Sequence, residues 1–206
     1  MTDTALAAPF ECPLRTVEHE WVDYNGHLNM AYYHVLFDQS LDTLFNELGI
    51  GWDYTKQGEG SCFTAEVHVC YLDELLEGDE VRITYQVLDA DAKRIHVFAH
   101  MYHAQKGYLA ATSEQMCIHV DMKTRRASPF PEASQKKIEA LTKAHAGLAK
   151  PEQAGRVIGI KRKLEESSYL SAHPPLGEGR NLEAKRAKFR GGGTADAQPP
   201  PREILR

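Results

Sequence analysis

The chain has 206 residues, 42% of them apolar and 26% charged, with a formal charge of −5. That length allows one domain with a substantial core plus an extension, and no apolar run approaches the ~18 residues of a membrane span. The charge is uneven: residues 1–150 carry 13 basic and 22 acidic side chains and residues 151–206 carry 11 and 7, so the body is acidic. Such a body argues against nucleic acid as the main partner.

The first stretch, "MTDTALAAPFECP", lacks the basic start and apolar segment of a secretory signal. Cys12, Cys62, Cys70 and Cys117 show no CxxC pair and no metal-ligand spacing. They read as free thiols of a reducing, cytoplasmic protein, and no metal site is expected.

In chain order, "LRTVEHEWV" (14–22) reads as a first strand. From Asn29 to Leu48, Tyr33, Phe37, Leu41, Leu44 and Leu48 recur every three or four residues, a helical stripe that Leu36 and Phe45 widen and Gly49 stops. A Gly-rich loop (56–61) precedes an alternating run, 62–72. There Phe63, Ala65, Val67, Val69 and Tyr71 are expected on one face and Thr64, Glu66, His68, Cys70 and Leu72 on the other. "EGDE" (77–80) is a turn. "VRITYQVLDAD" (81–91) alternates again, with Val81, Ile83, Tyr85 and Val87 together; residues 93–104 and 108–121 are two more strands joined by "QKG". Pro131 opens a second helix over 131–148.

Strand, long helix, then four strands describe an α+β domain over residues 1–160, an antiparallel sheet with a helix on one face. Residues 161–206 mix basic clusters with Gly and Pro runs and show no apolar periodicity, the composition of a disordered tail.

The chemistry concentrates in "DYNGHLNMAYY", just before the helix. Asp23, Asn25 and His27 alternate with Tyr24 and Gly26, and an extended segment would turn all three to one side. Gly26 allows a tight turn and close approach. The helix start offers N–H groups and a positive dipole end that would stabilise an oxyanion. Asp23 could act there as nucleophile or general base, with Asn25 and His27 orienting the acyl group or water. The same residues also make an ordinary helix entry: Asn29 is a good N-cap, Asn25-Gly26 a common turn pair, and Asp23 a capper of amides. On residue chemistry alone both readings stand.

This stretch resembles the D-x-N-G-H-x-N-N-x-x-Y signature of hotdog-fold acyl thioesterases, the superfamily of 4-hydroxybenzoyl-CoA thioesterase and the plant acyl-carrier-protein thioesterases. Asp23, Asn25, Gly26, His27, Asn29 and Tyr33 match, and Met30 departs where many members have a second Asn. "TAEVHVCYLDELLEGDEV", "DAKRIHVF" and "LAATSEQMCIHVD" resemble the thioesterases of carnitine breakdown, which act on betainyl-CoA. The resemblance covers most of residues 14–160. It implies a sheet wrapped around one long helix and thioester hydrolysis without cofactor, since CoA belongs to the substrate. Asp23, Asn25 and His27 would be the functional positions, Gly26, Asn29 and Tyr33 substrate contacts, and the domain a homodimer or homotetramer with its site at the subunit boundary. In some members the acid lies in the long helix, which keeps Asp38 and Glu47 as alternatives. A hydratase of the same fold and a non-catalytic acyl-CoA sensor are the rival functions.

Four further residues are candidates for substrate. Glu66 and His68, expected on one strand face with Thr64, would share a pocket, where Glu66 could hold a cationic acyl group against an aromatic wall of Trp52, Tyr54 or Tyr24. Lys93 and Arg94 would meet the CoA phosphates, or else form a charged strand edge.

Overall fold

In the computed structural model, which describes residues 8–160, the segment from Asn29 to Gly49 follows its end signals. Helix α1 (Met30–Leu48) is capped by Asn29, whose side chain accepts the Ala31 N–H, and ends at Gly49 in the left-handed conformation, φ 77°. Its stripe (Tyr33, Leu36, Phe37, Leu41, Leu44, Phe45 and Leu48) is buried. Each such aliphatic or aromatic side chain contributes about 1.5–3 kcal/mol of burial.

The sheet that covers this stripe is built from β1 (Phe10–Glu11), β2 (Arg15–Thr16), β3 (Gly60–Tyr71), β4 (Glu80–Ala90), β5 (Arg94–His103), β6 (Leu109–Asp121) and β7 (Arg126–Ala127). It runs β1-β4-β5-β6-β3, antiparallel at every pairing, with β2 also on β4 and β7 on β6. Since β3 follows α1 yet lies at the far edge, the helix passes beneath the whole sheet. Val81, Ile83, Tyr85 and Val87 of β4 join Ile95, Val97, Ala99 and Met101 of β5 in the core with the α1 stripe. The Tyr85 hydroxyl pins the helix by donating to the Phe37 carbonyl at 2.6 Å. A short helix, α2 (Trp52–Lys56), and a longer one, α3 (Glu132–His145), complete the unit, which ends at Ile158. No helix among the described residues is long and apolar enough to cross a membrane. The expected tail, 161–206, lies outside the described residues.

Two expectations are corrected. The first strand is not continuous over 14–22: within that range only Arg15–Thr16 pairs with β4, and beyond Val17 the chain enters a 3-10 turn, His19–Trp21, before Val22 bridges Leu28. Strand β1 lies upstream, on the other side of Pro13, outside the expected range. More consequentially, β3 carries a bulge. Thr64 pairs with Cys117 and Glu66 with Met116, so Ala65 has no counterpart in β6. Paired residues share a face, and the extra residue shifts the alternation. Thr64 stays on the helix side with Cys117, and Val67, Val69 and Tyr71 follow it there opposite Gln115, Ser113 and Ala111. Glu66 and His68 lie on the outer, convex face with Phe63. The single face expected for Thr64, Glu66 and His68 does not exist.

Candidate active site

Residues 22–28 form a tight hairpin rather than an extended run. Val22 bridges Leu28 in antiparallel fashion. Asp23 N–H donates to the His27 carbonyl at 3.0 Å, Gly26 N–H to the Asp23 carbonyl at 3.0 Å, and Asn29 N–H to the Trp21 carbonyl at 2.9 Å. Gly26 sits at φ 86° with nothing within 4 Å of an added Cβ, so backbone conformation, not space, calls for glycine there. Trp21 stacks on Tyr32 at 5.5 Å and fixes the hairpin to the first turn of α1.

The turn therefore gathers the three polar residues by folding back. Asp23 Oδ1 accepts the Asn25 backbone N–H at 2.8 Å, and the Asn25 side-chain amide stands 3.5 Å from Oδ2. His27 Nδ1 lies 3.9 Å from Asp23 Oδ1, an ion-pair distance, with the Asp23 side chain only 16% exposed. Tyr24 is 98% exposed and forms no part of a wall.

Asp23, His27, Asn29 and Tyr33 line a cavity of about 320 Å³. Its far wall is Tyr71, Leu72, Asp73 and Glu74, at the end of β3 and the loop after it. That wall is anchored: the Leu72 and Asp73 amides both donate to the Ala110 carbonyl, at 2.9 and 3.0 Å, and Leu28 N–H donates to the Leu75 carbonyl at 2.8 Å. Tyr33 donates its hydroxyl to the Asp73 carbonyl at 3.3 Å, and Tyr71 to the Met30 carbonyl at 3.4 Å. Burial pushes the Tyr33 phenol up to about 12 and raises that of Tyr71, so both stay protonated at neutral pH. The two rings meet edge to face, 5.2 Å apart. Tyr71, Asp73 and Glu74 are not among the residues expected from sequence; an aromatic strand end followed by acids, "YLDE", is the signal that carries them.

The other candidates lie elsewhere. Glu66 and His68 share a cleft of about 550 Å³ on the convex face with His96, Glu114 and Arg156. There His96 Nε2 meets Glu114 Oε1 at 2.8 Å and the Gly155 N–H donates to Glu114 Oε2 at 2.7 Å. Lys93 and Arg94 stand at the start of β5, whereas the Ala110 anchor of the cavity wall lies beside Ala111, the partner of Met101 near the end of that strand. Seven strand residues, roughly 23 Å, separate Arg94 from that level. Arg94 is held by Asp91, with contacts of 2.8 and 2.5 Å. Of the helix acids, Asp38 lies two turns along α1, roughly 12 Å from Met30, and lines a different cavity with His34 and Thr64. Glu47 sits at the far end of the helix, where its carbonyl accepts Lys137 Nζ. Trp52 and Tyr54 belong to α2, and the Tyr54 hydroxyl pairs with His119 at 2.9 Å.

Residues 17–138 match the model of the thioesterase-like superfamily, more than half of the chain. The chain belongs to that superfamily. Among its relatives, the betainyl-CoA thioesterase of Pseudomonas aeruginosa is 40% identical over 141 residues, 68% of this chain and 89% of the relative. The L-carnitine dehydrogenase/betainyl-CoA thioesterase of Rhizobium is 39% identical over 154 residues, 73% of this chain and 31% of the relative, so the chain spans about a third of that fused protein. Among solved structures, the SAV2348 protein of Staphylococcus aureus in complex with CoA superposes with a TM-score of 0.70 at 30% identity, over 75% of this chain and 98% of that one. The 1,4-dihydroxy-2-naphthoyl-CoA thioesterase of Synechocystis, at 14% identity and TM-score 0.56 over 68% and 99%, shares the fold. The α+β architecture read from the strand order, and the hotdog fold that the resemblance implies, are the fold of this superfamily member.

Proposed function

We propose that this superfamily member is an acyl-CoA thioesterase acting on a small acyl group of the betainyl type, with Asp23 as its chemical residue. The observation that carries this reading is the Asp23 carboxylate, largely shielded and lining a cavity at the start of a buried helix, with Asn25 and His27 beside it. The named relatives support the thioester class and the acyl group. Asp23 supplies the carboxylate that attacks the thioester carbon, or that takes a proton from the attacking water. The amides of Gly26, Leu28 and Asn29 are already spent on the hairpin and the Leu75 loop. The His27 amide and the positive end of α1 are left to face the developing oxyanion. The products are a free acid and CoA, and water is the only co-reactant.

Lys93 and Arg94 remain the candidates for the CoA phosphates. A second copy of the chain belongs to the proposal as well. Strand β3 is 12 residues long and pairs with β6 alone among the described residues, while Val67 and Tyr71 are 41% and 44% exposed along it. A long, partly apolar edge of that kind pairs with another strand, so we read the working unit as a homo-oligomer built on β3, in the cytoplasm.

The test is a panel of acyl-CoA substrates followed by thiol release, with Asp23→Asn beside the wild type. The substituted side chain keeps an amide oxygen that can accept the Asn25 N–H, so the variant keeps its fold. Loss of a general base or nucleophile lowers kcat by about 10²–10⁴-fold. A folded variant that works at the wild-type rate refutes the assignment, and ¹⁸O from labelled water entering Asp23 in a single turnover marks the nucleophilic route.

A further inference from the structure

The cavity beside Asp23 has a composition that hydrolysis alone does not require. Three carboxylates, Asp23, Asp73 and Glu74, line it with two tyrosine rings, and no Lys or Arg is among its lining residues. Neither Asp73 nor Glu74 takes part in an ion pair among the described residues. The Asp73 carboxylate and the Glu74 backbone are held in place. Asp73 Oδ1 accepts the Glu74 N–H at 2.9 Å, and the Glu74 carbonyl accepts the Tyr108 hydroxyl at 2.8 Å. The Tyr33 hydroxyl and the Ala110 carbonyl fix the remaining backbone.

Unneutralised acids around an aromatic pair disfavour a fatty or otherwise anionic acyl group and favour a cation. A quaternary ammonium has no N–H to donate, so a hydrogen-bonding carboxylate is not what recognises it. Ring faces and a diffuse negative field are.

Resting on the thioesterase reading above, we propose that Tyr71, Tyr33, Asp73 and Glu74 form a cation subsite that receives a trimethylammonium group beside the thioester carbonyl attacked at Asp23. The stereochemistry demands proximity. In a betainyl thioester the nitrogen is two bonds from the carbonyl carbon, so whichever cavity presents that carbon to Asp23 also receives the charge. Glu66, on the opposite face of the sheet, and Trp52 and Tyr54, on α2, are outside that reach.

The test compares betainyl-CoA with 3,3-dimethylbutyryl-CoA, in which a carbon replaces the nitrogen and shape is kept while charge is lost. The wild type favours the cationic thioester in kcat/KM. Tyr71→Leu, Asp73→Asn and Glu74→Gln each lower that ratio, roughly three- to thirty-fold for the ring and several-fold for each acid, whereas Asp23→Asn depresses both substrates together. A ratio that stays within about twofold of the wild type in all three variants overturns the subsite and leaves the thioesterase reading intact. A wild type that cleaves neither thioester overturns the thioesterase reading. Tetramethylammonium titrated into the protein and followed by NMR then decides the subsite separately: saturable shifts lost in Tyr71→Leu uphold it, and their absence in the wild type overturns it.

Discussion

Asn29 distinguishes capping from chemistry at the helix start, and replacing it by Ala has a calculable effect. Its side chain accepts the Ala31 N–H at 3.0 Å, and its own N–H is taken by the Trp21 carbonyl at 2.9 Å. Both contacts are structural. Alanine keeps the backbone bond and loses the cap. Since Ala31 is exposed, water can reach the freed N–H, which places the cost near about 1 kcal/mol rather than at the upper end for caps. For a chain of this size that corresponds to a fall in Tm of roughly 2–4 °C. Thermal and urea unfolding by circular dichroism would show it, with Asn29→Ser and Asn29→Asp restoring most of the loss because both can cap. Thiol release by the Ala variant should fall by less than about tenfold, far short of the loss at Asp23. Equal stability of Asn29→Ala and wild type, or an Asp variant as unstable as the Ala variant, would refute the capping account.

Tyr85→Phe removes the 2.6 Å bond to the Phe37 carbonyl and should cost about 1 kcal/mol in urea unfolding. Gly49→Ala forces a side chain to φ 77° and should destabilise by about 1 kcal/mol, although Ser134 Oγ leaves ordinary space for the new methyl. The Arg94 side chain, with the Lys93 and Arg94 amides, holds the Asp91 carboxyl down to about 2. Its contribution to stability is therefore present above the ordinary carboxylate range and is lost as pH falls toward 2; Asp91→Asn should flatten that acid limb. Burial pushes the Cys12 thiol up to about 12, so it should resist a disulfide reagent at neutral pH until the protein unfolds, as mass spectrometry of labelled peptides would report.

The long helix is legible in the sequence because its signals are local. Asn29, the stripe at three- and four-residue spacing, and Gly49 all act within α1 itself. Strands β4, β5 and β6 are legible for a similar reason, since their alternation lies within each segment. The bulge is not. Phe63, Ala65 and Val67 alternate smoothly on paper, and only the pairing with β6 reveals that Ala65 is supernumerary. The early end of the first strand, where only Arg15 and Thr16 pair, needs a similar knowledge of where β4 lies. At the site, one wall can be read from the motif around Asp23. The opposite wall, Tyr71 to Glu74, reaches it through the Ala110 anchor and the Leu28–Leu75 bond, contacts between segments distant in sequence.

The supernumerary Ala65 also makes the outcome of a length change in β3 depend on where it falls. Losing Ala65 itself would join Thr64 to Glu66 in a regular ladder, still opposite Cys117 and Met116, and every remaining side chain would keep its layer. Losing Val67 with the bulge kept would instead exchange the layers on one flank. If the downstream part kept its place, Cys62 and Thr64 would leave the interior; if the upstream part did, Tyr71 would turn from the Asp23 cavity to the outside and His68 would take its side. Single-codon deletions a few positions apart would thus range from silent to disruptive, with the backbone trace almost unchanged.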